Sequence, residues 1–134
     1  MEYDLILNCE NGCSLSFTDI LFYDTEFSAE VIIKSNWYVA NLNFTASNDR
    51  LKEFLASINR LLLEGIGIAS FINDNGNIDL EFHLDKKSGR FTIKGILIEN
   101  MMDESRLEYS MQSDYYNLQR TQQMLNSILN SNLL

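Results

Sequence analysis

The amino-acid sequence predicts an α+β fold: a curved antiparallel sheet of about six to seven strands, with two amphipathic helices, one central and one C-terminal, packed on one face. Apolar and polar residues alternate with a period of two in several short segments, which is typical of strands with one solvated face. The turns between them are too short for parallel crossovers. Two longer segments repeat apolar residues at helical spacing. At 134 residues we expect a single domain over 1–134.

The first part of the chain, 3–46, is predicted to form strands joined by turns. The predicted strands are 3–9, 13–23, 31–33 and 36–46. Asn11 and Gly12 favour the pair of positive φ angles of a type I′ hairpin turn. The acidic stretch 24–30 is predicted to be a loop.

The central helix is predicted at about 48–64, where Ser47 or Asn48 can cap its start and Gly65 its end. Its apolar stripe consists of Leu51, Phe54, Leu55, Ile58, Leu61 and Leu62. A strand meander is predicted over 66–112, with turns at 73–76 and 86–89 and a loop at 100–104. Asp114 can cap the terminal helix, predicted at about 114–130.

The charge of the chain is strongly negative, −9 from 19 acidic and 10 basic residues. Phosphate groups are bound by lysine and arginine, so the balance argues against nucleic acid and anionic membranes as partners. It favours a basic protein partner. Residues 1–47 hold seven acids and only one base, Lys34, which makes this part the preferred contact region. The alternative is that the acidity serves solubility alone.

The location of the protein is predicted to be cytoplasmic. No apolar stretch approaches the roughly 20 residues that span a bilayer. The N-terminus is acidic, unlike a secretory signal. The two cysteines, Cys9 and Cys13, are too few for a secreted disulfide scaffold and lack the spacing of a redox or zinc site.

Catalytic residues are not evident in the sequence. Asp79, Glu81, His83 and Asp85 share one face of a strand and form a weak candidate for a divalent cation site. Polar alternation of this kind is more often the solvated face of an antiparallel sheet. His83 is the only histidine, and no serine or cysteine lies in a nucleophile motif. We therefore expect no catalytic residue, no cofactor, no metal and no enzymatic activity.

Three stretches carry a resemblance to a known family. They are WYVANLNFTASNDRLKEFL at 37–55, GNIDLEFHLDKKSGRFTIKGILIE at 76–99 and DYYNLQRTQQMLNSIL at 114–129. In layout and local pattern, over roughly 13–130, the chain resembles the wall-associated-protein immunity (WapI-type) family and related small bacterial proteins. The resemblance implies a bacterial immunity protein that binds a toxin domain, often a nuclease, and blocks it without chemistry of its own.

The residues expected to contact a basic toxin are chosen by charge and exposure, because the resemblance supplies no functional positions. They are Asp19, Asp24, Glu26 and Glu30, together with Trp37 as an interface anchor. Trp37 can instead cover one end of the core. The alternative function is a non-catalytic protein-interaction module, or the subunit of a complex with another partner. The sequence leaves the oligomeric state open.

Overall fold

The computed structural model describes residues 2–100 and 105–132, and these residues form eight strands and two helices. In chain order the elements are β1 (Tyr3–Asn8), β2 (Ser14–Tyr23), β3 (Glu26–Lys34), β4 (Val39–Ser47), α1 (Asn48–Glu64), β5 (Ile66–Ile72), β6 (Ile78–Asp85), β7 (Arg90–Asn100), β8 (Ser105–Ser113) and α2 (Tyr115–Asn132). A short 3-10 turn, Glu10–Gly12, links β1 to β2. Of the loop predicted at 100–104, residues 101–104 lie outside the described residues. Neither helix of the described part combines the length and the apolar character needed to cross a membrane.

The strands form two antiparallel sheets of four, with the orders β1-β2-β3-β4 and β5-β6-β7-β8. The predicted α+β class, with antiparallel pairing and one central and one C-terminal helix, is confirmed. The strands do not form the single curved sheet that we expected, because α1 separates β4 from β5 and each group of four pairs only with itself. Four strands followed by a helix therefore occur twice, a repeat of topology without an evident repeat of residues.

Strand β3 begins earlier than the sequence indicated. The stretch 24–30, predicted as an acidic loop, contributes five residues to β3, and only Asp24 and Thr25 form the turn. Phe27 and Ala29 continue the inward alternation that Val31 and Ile33 establish, and all four are buried. The inward alternation of apolar residues therefore decides that this segment is a strand, and Glu26 and Glu30 fit within it because they point to the solvated face.

The core contains a continuous cluster of phenylalanine rings that joins both sheets and α1. Phe71 of β5 lies at its centre, with ring centroids 5.2 Å from Phe17, 6.5 Å from Phe27, 6.0 Å from Phe44 and 5.6 Å from Phe54. Three of these four pairs are edge-to-face, a geometry in which positive ring edges meet negative ring faces. The cluster fixes how the first sheet, the second sheet and α1 pack together.

The start of α1 is held by a residue from another turn. Ser47 is the N-cap residue, as one of the two predicted candidates, but its side chain makes no capping hydrogen bond. Instead Asp74, in the β5–β6 turn, accepts hydrogen bonds from the Ser47 N–H (2.8 Å) and from Arg50 Nε (2.9 Å). The hydrogen bonds from Arg50 and from the Ser47 backbone hold the pKa of Asp74 below its ordinary value. The end of α1 follows the prediction, with Gly65 at φ 78° and its N–H bonded to the Leu61 carbonyl.

Replacing Asp74 with asparagine is expected to destabilise the protein at neutral pH by about 1 kcal/mol or less, since water screens this half-exposed carboxylate. The folded-state pKa is lowered, so its stabilisation is present above the unfolded pKa of about 3.9 and is lost as the pH falls through the folded value. Urea unfolding of both proteins should therefore differ at pH 7 and converge at strongly acidic pH. If the two proteins still differed in unfolding free energy at strongly acidic pH, the effect would come from the shape of the side chain at position 74 and not from its charge.

Helix α2 packs on β1 and so brings the second half of the chain back onto the first. Asp114 caps α2 as predicted, because its Oδ1 accepts a hydrogen bond from the Asn117 N–H at 2.8 Å. Immediately before it, the buried Ser113 Oγ donates to the Asn8 carbonyl at 2.7 Å, which ties the end of β8 to the end of β1.

Candidate functional site

The acidic residues predicted to contact a partner lie on the first sheet, and two of them, Asp24 and Glu26, lie at the far end of β3 from Trp37. Asp19 lies at a bulge in β2 with φ 54°, and its N–H donates to Asp4 Oδ1. Glu30 lies on the outer face of β3, accepts a hydrogen bond from Asn41 Nδ2, and lines a groove of about 570 Å³ together with Asp19. Asp24 lies in the β2–β3 turn, and Glu26 is the first residue of β3.

Trp37 lies in the β3–β4 turn, at the opposite end of β3 from Asp24 and Glu26. The nine residues of β3 separate the two ends by roughly 27 Å. Trp37 is 85% exposed and its indole rests edge-on against Tyr38, with ring centroids 4.8 Å apart. It is therefore a surface residue that does not cover the core.

The face of Asp79, Glu81, His83 and Asp85 is the partly exposed side of β6. His83 Nε2 lies 3.0 Å from Glu81 Oε1, and burial, followed by the Glu81 charge, raises the pKa of Asp79. Bases of β7 stand opposite two of these acids, since Lys94 pairs in register with Glu81 and Arg90 with Asp85. Among the described residues, no group of three or more histidine, cysteine, aspartate or glutamate side chains is placed to hold a metal ion.

A cluster of cations and tyrosines lies at one end of the second sheet and was not predicted. We use the name basic–tyrosine cluster for six residues of the β6–β7 turn, the start of β7 and the first two turns of α2: Lys86, Lys87, Arg90, Tyr115, Tyr116 and Arg120. Lys86 Nζ lies 5.1 Å from the centre of the Tyr115 ring, and Arg120 Cζ lies 5.9 Å from that of Tyr116. Both distances are in the range of cation–π contacts.

The pairing of β7 with β8 assembles this cluster. Phe91 pairs with Ser113, so the β6–β7 turn and Arg90 lie beside the start of α2. The two contributing segments, 85–90 and 114–120, hold four bases against the acids Asp85 and Asp114, which leaves a local balance of +2 on a chain of −9. None of the four bases forms an ion pair within 2–100 and 105–132. Tyr116 is 65% exposed.

The outer face of β7 continues from Arg90 along the second sheet, where Glu81 of β6 stands opposite Lys94. Thr92 follows Arg90 on this face, and its Oγ1 donates to Gln112 Oε1 at 3.1 Å. Lys94 comes next and is exposed, with Ser110 beside it on β8. Arg90 and Lys94 are thus roughly 13 Å apart along one strand, separated by hydrogen-bonding side chains.

The chemistry available at this site is binding. Cations attract anionic groups, tyrosine rings offer flat faces, and hydroxyl and amide groups form hydrogen bonds. The cysteines lie elsewhere, on either side of the turn Glu10–Gly12. Burial, with the nearby Cys13 and Glu10, raises the pKa of the Cys9 thiol to about 12, so it is protonated at neutral pH and a poor nucleophile.

Two solved structures share the fold of this chain. One is described as the Trypanosoma brucei MRP1/MRP2 proteins, with 14% sequence identity and a TM-score of 0.56; it covers 98% of this chain and 84% of that one. The other is described as a guide-RNA-binding protein complex bound to a guide RNA, with 15% identity and a TM-score of 0.54; it covers 98% of this chain and 92% of that one. Neither description names a chemical reaction. No protein-family model and no curated protein matches the sequence.

These findings correct the predicted family. The resemblance to the WapI-type immunity family was wrong, and with it the neutralisation of a basic toxin, because the fold is that of the MRP proteins over nearly the whole chain. The resemblance depended on local strand and helix patterns, which many α+β proteins share. Identity this low shows the fold alone.

The predicted partners are corrected as well. We expected a basic protein and excluded nucleic acid on the net charge, but a chain of the same fold is described bound to guide RNA. Net charge sums over the whole surface, whereas binding depends on the local distribution of charge. The signal was present in the sequence as KKSGR at 86–90 and YY at 115–116, but only the strand register shows that these segments meet.

Proposed function

We propose that the protein is a non-catalytic binding protein for single-stranded nucleic acid, which contacts the basic–tyrosine cluster and the adjoining outer face of β7. The observation that carries the proposal is the cluster itself: four cations and two tyrosines, brought together from two distant segments of an acidic chain. The fold shared with a guide-RNA-binding complex supports it.

The ligand is single-stranded because of the chemistry of the cluster. Lysine and arginine neutralise phosphates, and tyrosine faces stack on bases. Base faces are available in a single strand, whereas a duplex hides them between neighbouring pairs. The exposed ring of Tyr116 offers such a face next to Arg120.

The acidity of the rest of the chain limits this binding. Four cations in contact with phosphates give a slope of log affinity against log salt of about −3 for a single strand. The remaining negative surface repels the strand outside the cluster. We therefore expect short, salt-sensitive contacts rather than extended wrapping.

Charge reversal in the cluster tests the proposal. The double variant Lys86→Glu and Lys87→Glu is expected to weaken binding of a short fluorescent single-stranded RNA, measured by anisotropy at low salt, by about tenfold or more. The matched control, Lys52→Glu with Arg60→Glu on exposed positions of α1, changes the net charge equally and should weaken it only a few fold. Competition with unlabelled single-stranded DNA and with duplex RNA compares the affinities of the protein for these classes of nucleic acid.

Two outcomes would contradict the proposal. One is the absence of binding by the unchanged protein at low salt. The other is an equal loss in the cluster variant and in the control, which would show that only overall charge matters. Circular dichroism of each variant ensures that a loss of binding does not reflect a loss of fold.

A second candidate function is that of a subunit in a protein complex, favoured by the exposure of Trp37. A tryptophan that is 85% exposed at a hairpin tip is a typical anchor of protein interfaces. A photo-reactive amino acid at position 37 should capture a stoichiometric protein partner in host cells, whereas the same group at the exposed position 53 of α1 should not. Equal capture at both positions would argue against this role.

A further inference from the structure

The two cysteines of the chain face each other across the β1–β2 hairpin. Asn8 of β1 pairs with Ser14 of β2, so the next pair towards the turn is Cys9 and Cys13. Both residues are extended, with φ and ψ of −115° and 177° at Cys9 and of −76° and 156° at Cys13, and they continue the two strands up to the turn. The Cys9 N–H donates to the Cys13 carbonyl oxygen at 2.9 Å, which holds the two residues opposite each other.

Both thiols lie on the inner side of the first sheet. Successive side chains of a strand alternate between its faces. Cys9 therefore shares a face with the buried Leu5 and Leu7, and Cys13 shares one with the buried Leu15. Both cysteines are free, partly buried and packed against the core. The charge of Cys13 is one of the causes that raise the pKa of Cys9, which places the two thiols within electrostatic range of each other.

The spacing of such a pair suits a disulfide bond. Directly opposed residues of an antiparallel pair have Cα atoms about 4.5–5.5 Å apart, and disulfides join Cα atoms about 4.4–6.8 Å apart. The Cβ atoms of opposed residues are about 4.5–5.5 Å apart and must approach to about 4 Å for the bond to form. The end of the hairpin can supply this small movement, because only the three-residue turn Glu10–Gly12 lies beyond the pair.

We propose that Cys9 and Cys13 form a reversible disulfide bond, which makes the end of the β1–β2 hairpin a site of oxidative modification by peroxides. In the first step the Cys13 thiolate attacks hydrogen peroxide, the O–O bond breaks, and a sulfenic acid and one water are formed. In the second step the Cys9 sulfur attacks the Cys13 sulfur, and the sulfenic hydroxyl leaves with the Cys9 proton as a second water. The two thiols lose two electrons and two protons, and the peroxide accepts them.

The surroundings of the two thiols determine this order. Burial, followed by the charges of Cys13 and Glu10, raises the pKa of the Cys9 thiol to about 12. Because the thiolate is the attacking species, Cys9 reacts poorly with peroxide at neutral pH, and Cys13 is left to attack first. The sulfenic acid on Cys13 then directly faces Cys9, so the bond closes within one chain and needs no second protein.

The bond fastens the hairpin at the point where the second sheet contacts it. Ser113 Oγ donates to the Asn8 carbonyl oxygen at 2.7 Å, and β8 contacts the turn Glu10–Gly12. Closing the short loop between the two cysteines also lowers the conformational freedom of the unfolded chain. We therefore expect the oxidised protein to melt a few degrees above the reduced protein.

Thiol labelling of the folded protein tests the inference. After treatment with hydrogen peroxide, the number of thiols that react with a maleimide in denaturant should fall from two to none. Dithiothreitol should restore both. Peptide mapping without reduction should show the cross-link within one chain, between Cys9 and Cys13.

The two single variants form a matched pair for the order of the steps. Cys9→Ser should accumulate a sulfenic acid on Cys13, detected as a dimedone adduct, because the second thiol is missing. Cys13→Ser should give at least tenfold less adduct at the same peroxide dose. Circular dichroism of each variant ensures that both are folded.

Three results would overturn the inference. The first is that both thiols remain reactive after peroxide treatment, and the second is a cross-link found only between two chains. The third is an oxidised protein that melts well below the reduced one, which would show that the bond does not fit the folded hairpin. Equal adducts in the two variants would contradict the assigned order of attack.

Discussion

Replacement of Phe71 with alanine is expected to lower the free energy of unfolding by about 3–5 kcal/mol, a large share of the stability of a domain. Phe71 is 1% exposed and its ring contacts four other phenylalanine rings. Those rings come from the first sheet and from α1, so no single side chain can move in to fill the cavity. The loss combines the burial of the ring with the empty volume left behind.

Urea unfolding followed by circular dichroism measures this loss. The matched control is Phe22→Ala, which deletes the same group where the ring is only partly buried and contacts Tyr3 and Phe27. The control should lose markedly less stability. Phe71→Leu, which keeps most of the volume, should fall between the two. Equal losses for Phe71→Ala and Phe22→Ala would contradict a central position of Phe71.

Replacement of Gly95 with alanine is expected to destabilise the protein by about 2–3 kcal/mol, at the upper end of the cost of overpacking. Gly95 lies on β7 opposite Tyr109, and an added Cβ would overlap the Tyr109 hydroxyl and the Asp79 carbonyl oxygen. The tyrosine ring can shift only at the expense of its own packing, and the carbonyl belongs to the β6 backbone. A glycine is therefore required here for space.

A double-mutant cycle identifies the source of this strain. Gly95→Ala should cost less when Tyr109 is replaced with valine, although not nothing, because the Asp79 carbonyl remains. Chemical denaturation of the four proteins gives the coupling energy. Tyr109→Phe serves as the control: the buried hydroxyl has no hydrogen-bond partner among the described residues, so its removal should be nearly neutral. Additive effects of Gly95→Ala and Tyr109→Val would contradict the overlap.

Much of the fold could be predicted from local sequence patterns. Helical spacing of apolar residues located α1, and Gly65 marked its end, because these signals act within one or two turns of the chain. The alternation of apolar and polar residues with a period of two predicted the positions of most strands. The division into two sheets was not predictable in this way, since it depends on which edge strands remain unpaired. The start of β3 was missed because Glu26 and Glu30 suggested a loop.

The candidate site was less predictable than the fold. Lys86 and Tyr115 are 29 positions apart in the sequence, and no local pattern indicates that they touch. Their contact follows from the register of β7 on β8, which places Phe91 beside Ser113. The acids chosen from composition, such as Asp24 and Glu30, are exposed or partly exposed, but composition carries no information on where basic residues gather.

The packing of α2 on β1 has a consequence for synthesis of the chain. Leu5 and Leu7, on the inner face of β1, are buried in the complete fold, yet α2 follows all eight strands in chain order. On the ribosome, the first sheet can pair its strands well before α2 emerges, and it then presents an uncovered apolar face. Until the last helix docks, that nascent sheet is a substrate for chaperones and a site where incomplete chains can aggregate.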